Sequence, residues 1–472
     1  MKTLKSHTSL LYNRYFCLFI VLIAVLIISC TEKEEIPIVK ANSTQTTIKI
    51  DGKKYSGNWT ISPDIPIDIF PVELYSGQTS EIIFYTDIDS ITFLINSEKK
   101  KDFIVVLNER DSAYTSFRAT KPAVTFTDDY VKNNRGKWSI EVPEVQELLL
   151  HIFAITPTGL ADVRSRIINH DTTDYYLDVI KYFSKFKEDL IVHKMDSLIK
   201  KNWFINLKAD ANAYVFNSEN KIVKSSTYDR MRGSSNLLEP YEKLLNDFAE
   251  KSNFRSFYNS HKALYDSLIT WQKTAFSTEK QWAWLEKQFP DHSYDNYRIT
   301  FSPLVKGNHS TVRFNKNGFK QAIMFIAPPY RVKNVNKNVS QGLVTRIVFT
   351  EIDHNYVNPE TDKYIKQINQ VFKDRKKWTN GKESKGYNSP YTVFNEYMTW
   401  SVYLLYCYDT YNKEDFEVIN KRIVNYKINR RGFQQFGQFN EALLRLYRNK
   451  TSNQTIADLY PSLLDWAASY KP

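Results

Sequence analysis

Thr350-Glu351-Ile352-Asp353-His354 is the segment of this chain whose residue types and spacing suit chemistry best. On a helix, positions 350 and 354 lie one turn apart and project the same way, with 351 beside them. When imidazoles occupy both ends of that pattern, H-E-x-x-H, they bind zinc and the glutamate takes a proton from the metal-bound water. Here Thr350 stands at the first ligand position. A neutral hydroxyl is a poor ligand for a cation that favours imidazole, thiolate or carboxylate, so one arm of the usual site is missing. Two repairs are open. Glu351 could itself become a ligand, because Glu-x-x-His at i, i+3 is a known pairing, but it would then no longer serve as a free base. Alternatively, His309 could reach in from the strand before the helix. Asp353 points about 100° away from His354 and is not counted as a ligand. The alternative to any repair is that Glu351 and His354 are a hydrogen-bonded remnant with neither metal nor catalysis.

Glu396, in Phe394-Asn395-Glu396-Tyr397-Met398, is the candidate third ligand. Thr392, Glu396, Thr399 and Tyr403 fall at i, i+4, i+7 and i+11, a polar stripe on an otherwise aromatic and aliphatic helix. A buried carboxylate there needs a partner, and zinc, a histidine or a buried arginine would each suffice. Other residues offer less. His151 reads as a core residue, His193, His261 and His292 have no ligand-spaced neighbours, and Cys407 sits on an aromatic helix face as a small buried hydrophobe. There is no G-x-x-x-x-G-K-[ST], G-x-G-x-x-G or G-x-S-x-G, so phosphate-loop, dinucleotide and α/β-hydrolase signatures are absent.

These residues need elements to hold them. From Gln45 to about Thr120 alternating apolar runs and the Asp51-Gly52 pair predict a small antiparallel β module, taken as 45–125 and sandwich-like. From Glu144 the period turns helical, with helices expected at Glu144 to Ile155, Tyr175 to Phe186, Leu237 to Glu250 and Thr278 to Gln288. A second β signal follows: Tyr297 to Val305, Thr311 to Phe314 and Phe319 to Ile326, with a tight turn at Asn315 to Gly318. The last of these strands is expected to align an extended peptide. Ser340 is a plausible N-cap for the helix bearing the Glu-x-x-His pair. Helices are expected again at Thr392 to Asp409 and Asn440 to Arg448, with basic Lys373 to Lys385 as a mobile, solvated loop. The fold class is α+β, with 140–472 as one large, mainly helical domain carrying a small antiparallel sheet.

The N-terminus sets the compartment. Lys2, Lys5 and Arg14 precede an uncharged run, Phe16 to Ile28, that suits an export signal better than a membrane span. It ends Ile27-Ile28-Ser29-Cys30, which resembles the bacterial lipobox, so 1–29 reads as a signal peptide, Cys30 as the lipidated first residue and 30–44 as a tether. Loss of residues 1–29 removes three positive charges from the formal net charge of +12 and leaves +9. An exported chain does not meet cytoplasmic nucleic acid, so no nucleic-acid partner is expected despite that balance. With three cysteines, Cys17, Cys30 and Cys407, no internal disulfide framework is available.

With these residues in view, the chain from about Glu141 onward resembles a family of exported bacterial proteins, a domain of unknown function whose members look like gluzincin-type zinc peptidases. The resemblance rests on Glu141-Val142-Pro143-Glu144-Val145, Ile299-Thr300-Phe301-Ser302-Pro303-Leu304, the Glu-x-x-His helix ending Val357-Asn358-Pro359, Asn395-Glu396-Tyr397, and the tail from Arg431-Gly432-Phe433 through Leu459-Tyr460-Pro461 to Asp465-Trp466. It implies zinc as cofactor, with His354 as second ligand, Glu351 as general base and Glu396 as third ligand; Thr350 departs from the pattern at the first. The expectation is a lipid-anchored outer-membrane protein, exposed on the cell, with a peptidase-like fold, a degenerate zinc motif and weak or no peptidase activity. Its partners would be the membrane, through Cys30, and an extended peptide or protein. The alternatives are an active metal-dependent hydrolase with a rearranged site and a non-catalytic lipoprotein that binds peptide or glycan.

Overall fold

Alternation of apolar and polar residues puts one face of each N-terminal strand into a core, and the computed structural model shows two sheets doing so. It describes residues 35–471 except 56–58, 62–66, 76, 98, 110, 162–166, 171–172, 234, 329, 381–382 and 388. The expected signal peptide, 1–29, and Cys30 lie outside the described residues. The chain divides into two units, the first running to Ala119 and the second starting at Thr120.

In the first unit, strands β1 (Ile38–Ala41), β2 (Gln45–Ile50), β3 (Lys53–Lys54), β4 (Trp59–Thr60), β5 (Asp68–Glu73), β6 (Thr79–Tyr85), β7 (Ser90–Asn96), β8 (Lys100–Leu107) and β9 (Asp111–Thr120) form two sheets. Their orders are β1-β8-β9-β5 and β3-β2-β6-β7, with β4 also on β2. Phe84, Phe103 and Phe117 pack ring to ring and are fully buried. The expected tether contributes a strand: β1 pairs in parallel with β8, Ile38 opposite Ile104.

The second unit is α+β. Its sheet is built from β10 (Lys137–Glu141), β13 (Asn296–Phe301), β14 (Ser310–Lys316) and β15 (Phe319–Ile326) in the order β10-β13-β15-β14, while β11 (Tyr214–Phe216) and β12 (Ile222–Lys224) form a separate ladder. Two expectations are corrected here. The sheet is mixed, since β10, β13 and β15 run parallel and only β14 opposes its neighbour. Phe319–Ile326 is also interior, paired on both sides and almost wholly buried, so it has no free edge for a peptide; β10 and β14 are the edge strands. Asn317 and Gly318, at φ of 51° and 63°, make the β14–β15 turn, a left-handed pair that glycine and asparagine tolerate.

Five helices matter for the site: α1 (Glu144–Ala154), α2 (Phe204–Asp210), α3 (Lys337–Asp362), α4 (Pro390–Thr410) and α5 (Lys413–Arg431). The N-cap of α3 is Asn336, whose side chain accepts from the Val339 N–H at 2.9 Å; Ser340 is already inside the helix. The helix does not end at Pro359 but runs three residues past it. Proline cannot donate to the carbonyl four residues back, and the Tyr294 hydroxyl donates to that Asn355 carbonyl instead, at 3.2 Å. Helix α4 opens on a capping box between Ser389 and Thr392, with Pro390 in its first turn.

The sequence reading has no counterpart to α5. Asn412 caps it, and Phe416, Ile419 and Ile423 form its buried stripe. It ends at Gly432, φ 73°, where an added Cβ would lie 2.2 Å from the Asn380 side-chain oxygen. Close packing of α5 on α3 relies on Gly342, because a Cβ there would meet Ile419 Cδ1 at 2.4 Å. The basic Lys373 to Lys385 segment is not a solvated loop throughout. It holds a short helix, Arg375–Trp378, and Trp378 is fully buried, stacked on Phe372 at 4.3 Å between centroids.

Candidate functional site

Helix α3 is buried along most of its length, so the few side chains that escape packing are conspicuous. Thr350, Glu351 and His354 from α3, Glu396 from α4 and His309 from the lead-in to β14 all line one cavity of about 820 Å³. The five positions singled out in the sequence therefore converge.

What surrounds them differs from a metal centre. The Thr350 hydroxyl donates to the Arg346 carbonyl of its own helix at 2.8 Å, the usual fate of a threonine inside a helix. His354 Nδ1 lies 3.2 Å from Asn358 Oδ1 and 3.4 Å from the Thr399 hydroxyl. Burial pushes this imidazole down from its ordinary range, with the negative charge of Glu396 opposing. Thr399 and Tyr403, two members of the polar stripe on α4, face α3: the Tyr403 hydroxyl donates to the Gly342 carbonyl.

Glu396 is where the expectation and the structure part. Its Oε1 accepts from Lys427 Nζ at 2.8 Å and from an Arg431 amino group at 3.3 Å, both residues coming from α5. Lys427 has no solvent exposure at its side chain, and its ammonium rests 3.8 Å from the centre of the Phe433 ring and 4.5 Å from that of Trp400. Burial alone would raise the pKa of Glu396; the two cations outweigh it and hold the carboxyl down at about 2. Burial pulls the Lys427 ammonium down, and Glu396 pulls it back. Arg431 also donates to the Tyr387 hydroxyl.

Glu351 has a second set of neighbours. Burial pushes it up to about 7, against the positive charges of Lys208 and Arg232 and with the negative charge of Glu396 reinforcing the rise. Lys208, on α2, is itself buried and donates to the Asn308 carbonyl at 2.8 Å, beside His309. The loop that carries Arg232 is fixed by Asp210, which accepts the Met231 and Leu237 N–H groups at 2.9 Å each. Asp353 turns away from the cavity, fully buried with neither oxygen hydrogen-bonded, and burial keeps it well above the usual carboxylate range.

Among the described residues, no group of three or more His, Cys, Asp or Glu side chains is arranged to hold a metal ion. The donor set explains why. Thr350 spends its hydroxyl on the backbone, and both cations of α5 converge on Oε1 of Glu396, where a zinc ion would have to compete with them. Zinc does not fit these residues as they stand.

Sequence reasoning missed Lys427, Arg431, Lys208 and Arg232. For Lys427 a signal existed: Phe416, Ile419, Ile423 and Lys427 fall at i, i+3, i+7 and i+11, so the lysine occupies a core position of an amphipathic stripe. A lysine on that face demands a buried carboxylate, and Glu396 was the carboxylate in search of a partner. Comparison with family models, with curated proteins and with solved structures gave no match.

Proposed function

We propose that this chain is a lipid-anchored envelope protein whose large unit keeps the layout of a zinc peptidase but holds peptide segments without hydrolysing them. The observation that carries the reading is the ion pair at Glu396. The residue at the third-ligand position receives its positive charge from Lys427, an ammonium with no exchangeable coordination site. Two further features support retention of a ligand. The cavity is of a size that takes several residues of peptide, and its rim segment, Lys306 to His309, leads directly into the edge strand β14, whose unpaired side can add an extended chain. Anchoring through Cys30 rests on the Ile27-Ile28-Ser29-Cys30 pattern.

The test uses the full chain in detergent, a randomised decapeptide pool and zinc. Calorimetry should show peptide binding, the pool should be recovered intact, and metal analysis should find less than stoichiometric zinc in the wild type and in Thr350→His alone. Stoichiometric zinc in the wild type, together with cleavage that disappears in Glu351→Gln, would overturn the reading in favour of a working hydrolase. Absence of peptide binding would overturn it equally.

A further inference from the structure

Arg346 lies one helical turn before Thr350 and lines the same cavity, half-buried. Its guanidinium sits over two rings, 5.5 Å from the centre of Trp400 and 5.3 Å from that of Tyr426, and one amino group donates to the Tyr330 hydroxyl at 3.2 Å. Among the described residues it has no carboxylate at ion-pair distance. Of the two carboxylates of the cavity wall, Glu396 is bound to Lys427 and Arg431, and burial favours the neutral form of Glu351. The aromatic pair therefore holds a planar cation with donors to spare, and five N–H groups in a fixed fork match the two oxygens of a carboxylate.

The balance of charge points the same way. Lys306, Arg346 and Arg431 line the cavity against Glu351 and Glu396, and three more cations, Lys208, Arg232 and Lys427, are close enough to move the acidities of those glutamates. Such a cleft attracts an anion.

We propose that Arg346 receives a carboxylate of the bound ligand, and that peptides enter this cleft with their free C-terminal carboxylate on it. This rests on the peptide-holding reading above. A chain end is the one carboxylate every peptide carries whatever its sequence, and Arg346 is the planar donor in the cavity without an acidic partner.

The test compares two decapeptide pools of identical randomised composition, one ending in a free carboxylate and one in a carboxamide, titrated into the full chain in detergent. The acid pool should bind about tenfold more tightly, the size expected for a charge-assisted hydrogen bond. In Arg346→Met, which keeps the apolar stem, the two pools should bind alike, at the affinity of the carboxamide pool for wild type. Should that variant fail to fold, Arg346→Lys keeps the charge but loses the fork, and should narrow the difference at least threefold. Equal binding of both pools to wild type, or a difference that survives both substitutions, would overturn the assignment while leaving peptide binding intact. Displacement of the acid pool by inorganic phosphate but not by acetate would overturn it in favour of a phosphate site. If neither pool binds, the function proposed above falls first.

Discussion

Two helices of the second unit each carry a glutamate followed within one turn by a histidine, and the structure treats them in opposite ways. On α1, Glu147 and His151 are sealed from solvent. The Tyr175 hydroxyl donates to Glu147, and lies 2.8 Å from His151 Nε2 and 2.7 Å from the Tyr265 hydroxyl. Rings of Phe183, Phe254 and Phe257 close around the imidazole, and burial pushes it down from its ordinary range with Glu147 opposing. On α3, Glu351 and His354 line a cavity, and four cations neighbour the carboxylates there. The spacing is nearly the same; solvent access and the supply of positive charge are not. A glutamate and a histidine one turn apart become a site only where both are provided. Where neither is, a tyrosine hydroxyl takes one carboxylate oxygen and one ring nitrogen, Glu147 Oε2 and His151 Nδ1 stay unpartnered, and the pair becomes part of the core.

The sharpest way to break this contrast is to remove the charge on α5. Lys427→Met leaves Glu396 buried beside only Arg431 and should cost about 3–5 kcal/mol in denaturant unfolding, most of it recovered by adding Glu396→Gln. The acid limb should move as well. The folded-state value of Glu396, about 2, lies below its ordinary 4.5, so its contribution is present above pH 4.5 and is lost as pH falls toward 2. In Lys427→Met the folded value should rise toward 4.5, so the acid-dependent loss should be smaller and complete at higher pH.

In the sealed network, Tyr175→Phe removes the hydroxyl shared by Glu147, His151 and Tyr265. It should destabilise by about 1–3 kcal/mol without changing any ligand affinity of the cavity. A matching change in peptide binding would show that the two regions are coupled.

Glu351→Gln gives the most informative sign. Its folded value of about 7 lies above the ordinary 4.5, so the native carboxyl is favoured when protonated, and stability falls as pH rises from 4.5 through 7. The glutamine variant should therefore be more stable than wild type at pH 8, by at most about 3 kcal/mol, and indistinguishable from it at pH 4. A variant less stable at pH 8 would mean that Lys208 and Arg232 hold Glu351 as a true ion pair.

Much of this arrangement is legible in the chain because its periodicities are strong. The stripe Thr392, Glu396, Thr399 and Tyr403 marks polar side chains that do find partners, though on different elements: Thr399 and Tyr403 meet α3, Glu396 meets α5 and Thr392 caps its own helix. Asp51-Gly52 and Asn317-Gly318 mark hairpins for the backbone reason that applies to such pairs everywhere. Strand neighbours are a different matter. The burial of Phe319–Ile326 by partners on both sides depends on long-range pairing that a local pattern does not encode, and a run so apolar is read better as an interior strand than as a landing edge. Helix α5 escaped notice because its surface is dense with Lys, Arg, Asn and Glu, which hides a four-residue stripe ending in a charge. The helix through Pro359 escaped for another reason: the hydroxyl that replaces its missing hydrogen bond comes from Tyr294, sixty-one positions upstream.

The ammonium of Lys427 is tethered to its own polypeptide, unlike a metal ion, which must be acquired and can be stripped. A chelator in the medium, or scarcity of transition elements outside a cell, leaves this positive centre in place. That tethering has a chemical consequence: a protonated amine offers no vacant orbital, so a carbonyl beside it can be attracted and oriented but not activated as a metal Lewis acid would activate it.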